Sequence, residues 1–237
     1  MRWLLIVLLL VGGPAFAADP DALWKIVHEK CVPHRLADND PKPCAEVTAS
    51  SAILKDLVGV AQYLLIPTAK IGGMESPEIL RPDAPNYFAA AWDARRFVEA
   101  KLGKKLPRDA VSLAINSMIG RSQDQFHIHV DCVRRNVRDA LALSRADHWD
   151  SMELPGGNMY RVRRIAGADL ATTNPLLLLA QERPETVSVF GQHTLVVVGA
   201  KFADGAGFYV LAGRAEPWRL NFGSGEELQD HACAVAQ

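Results

Sequence analysis

Between positions 125 and 132 the chain reads Gln-Phe-His-Ile-His-Val-Asp-Cys. In an extended strand, successive side chains face opposite ways. Gln125, His127, His129 and Asp131 then share one face, and Phe126, Ile128, Val130 and Cys132 share the other. The apolar set wants a core, so the polar set is a row of groups about 7 Å apart on the opposite surface. Two chemistries suit such a row. A His-x-His pair on a strand can ligate a metal, and a neutral imidazole can attack phosphorus and carry the transferred group covalently. Just upstream, Asn116, Ser117, Gly120, Arg121, Ser122 and Gln123 gather amide, hydroxyl and guanidinium donors in a turn. Such donors suit phosphate oxygens, with Arg121 able to make a bidentate contact. Beside the histidines they point to a phosphate-ester or diphosphate site. Asp131 continues the face and reads as solvated.

Positioning that row requires a sheet. Apolar runs predict strands over Val111–Asn116 and Phe126–Val133, an antiparallel hairpin around the polar turn. Two more are predicted at Ile53–Leu57 and Gln62–Ile66, joined by a turn with Gly59. The apolar run Thr194–Phe202 and the run Phe208–Ala212 flank Asp204-Gly205 as a second hairpin. Helices are predicted over Asp21–Glu29, over Asn86–Leu102 with Gly103 as its stop, and around Val137–Ala146. Asn174-Pro175 opens a packing helix at Leu176–Ala180. Ser224 and Glu227 form a capping box for a closing helix that reaches Cys233. Helices and strands mix without strict βαβ alternation, so the class is α+β, a central antiparallel sheet flanked by helices. Lys55 and Tyr63 on the earlier hairpin read as structural, and Trp92 and Trp149 as core anchors. His28, His34, His148 and His193 read as surface or helix-end residues, and His231 as packing on the closing helix.

Lys+Arg 26 against Asp+Glu 27 leaves a net charge of −1 over 237 residues. That balance argues against nucleic acid, which wants a concentrated positive field. No run of about 18 apolar residues exists, which excludes a conventional multi-span membrane protein. Residues 1–18 read as a signal peptide or membrane anchor: Arg2, an apolar block from Leu4 to Val11, then Ala15-Phe16-Ala17. Residues 19–237 form the remaining domain, expected in the periplasm or on the periplasmic face of the inner membrane. Export makes disulfides plausible. Four cysteines, Cys31, Cys44, Cys132 and Cys233, allow three pairings. Cys31 and Cys44 bracket a Pro-, Asp- and Asn-rich loop with little to pack, which favours a staple there and leaves Cys132 with Cys233. No CxxC pair supports zinc.

The stretch 125–132 resembles the His-φ-His-φ-His-φ-φ signature (φ apolar) of the histidine-triad superfamily, with Gly120 five residues ahead and Leu64-Leu65-Ile66-Pro67 similar to its earlier strand. More closely, Pro43–Val47, Leu54–Leu57, Gln62–Leu65, Ala110–Ser117, Phe126–His129, Leu154–Gly157 and Gln229–His231 resemble the bacterial CDP-diacylglycerol diphosphatase family, in order and over nearly the whole chain. The resemblance implies a histidine-triad-like fold and hydrolysis of CDP-diacylglycerol to CMP and phosphatidate at a membrane surface. It implies His127 as nucleophile and His129 as its catalytic partner, with Asn116, Arg121, Ser122, Gln123 and Gln125 holding the substrate. It implies no metal and no cofactor. One departure stands out: Gln125 occupies the first triad position, and an amide cannot titrate near neutrality.

Overall fold

Alternating apolar runs build one continuous antiparallel sheet of nine strands. The structure is a computed structural model that describes residues 19–145, 147–167 and 169–236. The expected targeting segment, residues 1–18, lies outside the described residues. The strands are β1 (Glu46–Val47), β2 (Ser51–Lys55), β3 (Tyr63–Pro67), β4 (Val111–Ile115), β5 (Ile128–Cys132), β6 (Asp150–Glu153), β7 (Met159–Ala166), β8 (His193–Phe202) and β9 (Gly205–Arg214). Their spatial order is β1-β2-β3-β5-β4-β8-β9-β7-β6. The histidine strand β5 is central, with His129 registered against Leu64 on one side and Ala114 on the other.

One face of the sheet is covered by helix α3 (Tyr87–Leu102). Phe88, Ala91, Trp92 and Val98 on its inner side join Leu65, Leu113, Ile128 and Val130 in the main core. Each such large side chain taken out of water contributes about 1.5–3 kcal/mol. The helix begins where Asn86 Oδ1 accepts from Ala89 N and ends at Gly103, φ 69°. A left-handed residue closes a helix cheaply only when it lacks a Cβ.

The opposite face carries two smaller cores with the polar row of β5 between them. Leu54, Leu64 and Ile66 pack under Leu23 and Val27 of the N-terminal helical run. That run comprises α1 (Ala22–Ile26), a π-helical turn (Val27–Cys31) and α2 (Val32–Asp38). Val196 and Leu211 pack under Val137 and Leu141 of α4 (Arg135–Leu141) and under Leu228. Disulfides Cys31–Cys44 and Cys132–Cys233 tie the two ends of the chain to the sheet, spanning 13 and 101 residues. Loop-closure entropy alone puts them at about 3 and about 4.7 kcal/mol.

Several sequence expectations shift. The segment after Cys31 is helical to Asp38, with Pro33 placed where the π-helical turn passes into α2. Strands β6 and β7 were not foreseen. Arg161 and Arg163 alternate with buried Tyr160 and Val162, but Arg164 then falls on the buried face and breaks the apolar pattern of β7 before Ile165. Helix α4 ends at Leu141 rather than near Ala146, since beyond it the next large apolar residue, Leu143, has nothing to pack on. The closing helix is replaced by a 3₁₀ turn, Gly225–Leu228. Its expected caps are engaged elsewhere: Ser224 Oγ donates to Asn116 Oδ1, and the Glu227 carboxylate accepts from Asn158 and Tyr160. Gln229 then bridges to Val133 as an extra antiparallel pair. Pro175–Glu182 forms α5, with Leu176 and Leu179 buried. His193 is no surface residue. It opens β8 in a buried position, where desolvation lowers its pKa to about 4. Among the described residues no helix is long and apolar enough to cross a membrane.

Candidate active site

His127 stands one residue ahead of β5, and its ring joins the wall of a cavity of about 550 Å³. Its Nδ1 lies 2.6 Å from the carbonyl oxygen of Gln125. A carbonyl only accepts, so Nδ1 carries the proton and Nε2 keeps its lone pair. Burial holds this imidazole below its ordinary value of 6.5, against the pull of the Gln125 carbonyl. At neutral pH the ring is therefore an uncharged base with one free nitrogen.

His129 lies beside it, ring centroids 4.8 Å apart and nearly perpendicular. Its Nδ1 is 2.7 Å from Gln62 Nε2, and the same amide nitrogen donates to Asp56 Oδ2 at 2.7 Å. The carboxylate fixes which end of the amide faces inward, so His129 Nδ1 accepts and Nε2 bears the hydrogen. That Nε2–H is buried without a protein partner. Burial first, then the His127 ring, keep His129 well below the ordinary imidazole value despite Asp56. Two adjacent neutral imidazoles thus offer complementary atoms: a lone pair on one and a donor on the other.

Glu226 was not singled out in the sequence, and it joins the elements around this pair. Oε2 lies 3.2 Å from His129 Nδ1 and 3.9 Å from His231 Nε2, while Oε1 accepts from Asn116 Nδ2 at 2.7 Å. Asn116 in turn accepts from Gly225 N at 2.8 Å. The expected phosphate donor is therefore a brace for a carboxylate. Gly225 is required there, because a Cβ would sit 2.7 Å from Thr194 Oγ1. Asp56 and Gln62 were likewise missed as site residues, although both fall in segments on which the family resemblance rests.

The cavity has a polar floor and an apolar side. His127, His129, Glu226, Asp56, Lys55, Ser122 and Gln123 meet Leu23, Ile26, Leu54 and Leu64. Gln123 holds the apolar side in place. Its Oε1 accepts from Leu23 N at 3.0 Å and its Nε2 donates to Asp19 O at 2.9 Å. A free N–H of α1's first turn is thereby satisfied from another segment. Lys55 Nζ is engaged with the carbonyls of Asp56 and Gly59 at 2.6 and 3.0 Å.

Two residues of the predicted row, and Arg121 of the turn before it, lie elsewhere. Arg121 turns away from the cavity and forms a bidentate pair with Glu75 at 2.9 and 2.7 Å, plus Asp124 at 3.3 Å. Its guanidinium passes so close to Gly73 that a Cβ there would lie 2.1 Å from Nη1. Gln125 is fully buried, and its side chain clamps the 67–71 segment: Nε2 donates to Pro67 O and Ala69 O, and Oε1 accepts from Ile71 N. Only its backbone carbonyl reaches the site. Asp131, read as solvated, is completely buried. It pairs with His231 Nδ1 at 2.8 Å and accepts from Cys132 N at 2.8 Å, because the C-terminal tail folds over that end of β5. His231 accordingly serves as an ion-pair partner rather than as packing on a helix.

Comparison with known proteins agrees with the resemblance read in the sequence. The family model described as CDP-diacylglycerol pyrophosphatase matches residues 18–237. A curated protein of Yersinia pestis named CDP-diacylglycerol pyrophosphatase is 44% identical over 241 residues, covering 98% of this chain and 92% of its own. A match over nearly the full length of both chains carries more weight than any short motif: the chain belongs to the CDP-diacylglycerol pyrophosphatase family, a family of hydrolases.

Proposed function

We propose that this chain hydrolyses CDP-diacylglycerol to CMP and phosphatidate through a covalent cytidylyl-histidine intermediate, on a histidine-triad-like fold. Family membership supports the substrate. The mechanism rests on one observation: the free Nε2 of His127 beside the unpartnered Nε2–H of His129. Nε2 of His127 attacks the cytidylyl phosphorus in line. The phosphorus–bridging-oxygen bond breaks, and phosphatidate departs with that oxygen and its electron pair. Phosphatidate is a good leaving group near neutrality, so placed donors suffice and no metal is required. Water then attacks the phosphorus, the nitrogen–phosphorus bond breaks, and CMP is released.

His129 donates to a phosphoryl oxygen, where charge gathers as the transition state forms. Gln125 acts through its carbonyl as a positioning residue that fixes the His127 tautomer, so an amide serves there as well as an imidazole. Asn116 positions Glu226. Ser122 and Gln123 line the substrate wall. Arg121 holds the 73–75 and 117–124 segments together and leaves the phosphates to others. The targeting segment and two disulfides support a periplasmic place of work.

Acid-labile trapping tests this reading. The purified chain is mixed with substrate labelled in the cytidylyl phosphate and quenched. Label is expected on protein, lost in acid, absent from His127→Ala, and unaffected by EDTA. Turnover in the parent with no trapped label under burst conditions would overturn the covalent route, and a rate abolished by EDTA would overturn the metal-free one.

A further inference from the structure

The loop between β2 and β3 leaves the cavity wall at Asp56 and carries an apolar tip, Leu57-Val58-Gly59-Val60. Leu57 is completely exposed, and Val58 and Val60 are about half exposed at 52% and 54%. An apolar tip held outward needs a reason. This one is held by its base: Lys55 Nζ grips the carbonyls of Asp56 and Gly59, Val58 N donates to Asp56 Oδ1, and Val60 N donates to His231 O. Gly59 takes φ 73°, which a side chain would resist. Four of the loop's backbone groups are thus engaged inward, while the side chains of Leu57, Val58 and Val60 are left facing out.

Two further observations identify what the tip meets. The apolar side of the cavity, Leu23, Ile26, Leu54 and Leu64, runs out toward this loop, so hydrocarbon is continuous from beside His127 to the surface. The chain also enters the fold at the same wall. Asp19 and Pro20 are tied by their carbonyls to Gln123 Nε2 and Asp124 N, and residues 1–18, apolar from Leu4 to Val11, join at Asp19.

We propose that the Leu57–Val60 loop inserts into the surface of a lipid bilayer and docks the cavity mouth against it. Acyl chains of a lipid diphosphate then stay in hydrocarbon while the phosphates reach His127. The acyl path rests on the reading of a lipid substrate given above; the insertion does not. Small apolar loops dipping into the boundary between headgroups and acyl chains bind by buried apolar area.

The test uses the full chain and has two arms. In the first, Leu57→Trp is mixed with substrate-free vesicles of phosphatidylethanolamine and phosphatidylglycerol bearing brominated acyl chains. Quenching beyond that of the parent is expected; none would overturn insertion, even if residues 1–18 hold the chain to the vesicle. In the second arm, Leu57→Asp combined with Val60→Asp is assayed on vesicle-borne CDP-lipid and on a water-soluble cytidine diphosphate ester. The ratio of the two kcat/KM values is expected to fall at least tenfold. An unchanged ratio would overturn the proposal, as would a parent dimer that dissociates in this variant, since the tip would then serve a second copy of the chain. If the parent turns over no lipid while Leu57→Trp is quenched, the substrate reading fails and the insertion stands.

Discussion

The two ends of β5 present the same pattern and meet different fates. At the His127 end, the N-terminal helical run stands off from the sheet and leaves a cavity, with two neutral imidazoles at its floor. At the Asp131 end, the C-terminal tail closes down, and an ion pair with His231 and the Cys132–Cys233 disulfide fill the space. Alternation put all three side chains on one face. What covers that face decides which side chains line a cavity and which are clamped. Burial alone does not make a nucleophile either. His193 is also buried and neutral, yet its Nδ1 has no partner to fix a tautomer.

Substitutions at each end sharpen the contrast. His127→Ala is expected to lower kcat on the order of 10³-fold or more with an unchanged melting temperature, measured by CMP release and calorimetry. The pH profile should report the same ring. Its pKa is lowered, so the free base persists through neutrality, and kcat/KM should fall only as acid carries the pH below the ordinary imidazole value of about 6.5. A rate that already declines between pH 8 and pH 7 (on the order of one ordinary imidazole titration) would contradict the assignment.

Glu226→Gln keeps the shape but removes the charge beside His129, and a loss of about 10²-fold in kcat is expected, with KM little changed. Asp131→Asn should act on stability instead. A drop of about 1–3 kcal/mol corresponds to a melting shift of roughly 2–12 °C, with kcat within a few-fold of the parent. Burial raises the Asp131 pKa, and the hydrogen bond to Asp131 raises that of His231. For groups raised in the folded state, the contribution to stability is full below their unfolded values and is lost as pH rises through the folded ones. Thermal stability of the parent should therefore decline as pH rises through the raised His231 value, and Asp131→Asn should flatten that decline.

The smallest effect on activity is expected at the triad departure. Gln125→His should give no gain in kcat, because that side chain points into the 67–71 segment and not into the cavity. It should cost about 1–3 kcal/mol in urea denaturation by leaving buried backbone groups unpaired. A marked gain in kcat would mean that the first triad position does reach the substrate.

How much of this was legible in the sequence depends on range. Period-two alternation located the histidine row and its strand, and the apolar run before the polar turn located its hairpin partner, because each signal lies within one short run. The cysteine pairing followed from a loop too polar to pack. What stayed hidden depended on long-range contacts. Glu226 meets Asn116 across 110 positions, and Gln62 meets His129 across 67. Arg121 looked like a phosphate donor only until Glu75, 46 residues away, claimed both its nitrogens. Ser224 and Glu227 fit a capping box by spacing, yet Asn116 just after β4 and Tyr160 of β7 offered them better partners.

The wall that makes room for a substrate belongs to the N-terminal helical run, and Cys31–Cys44 is what fastens that run beside β1. A newly made chain still bathed in thiols would have its catalytic strand in place with no firm enclosure around it. Reducing that one bond is expected to loosen the wall while the sheet behind it keeps its place.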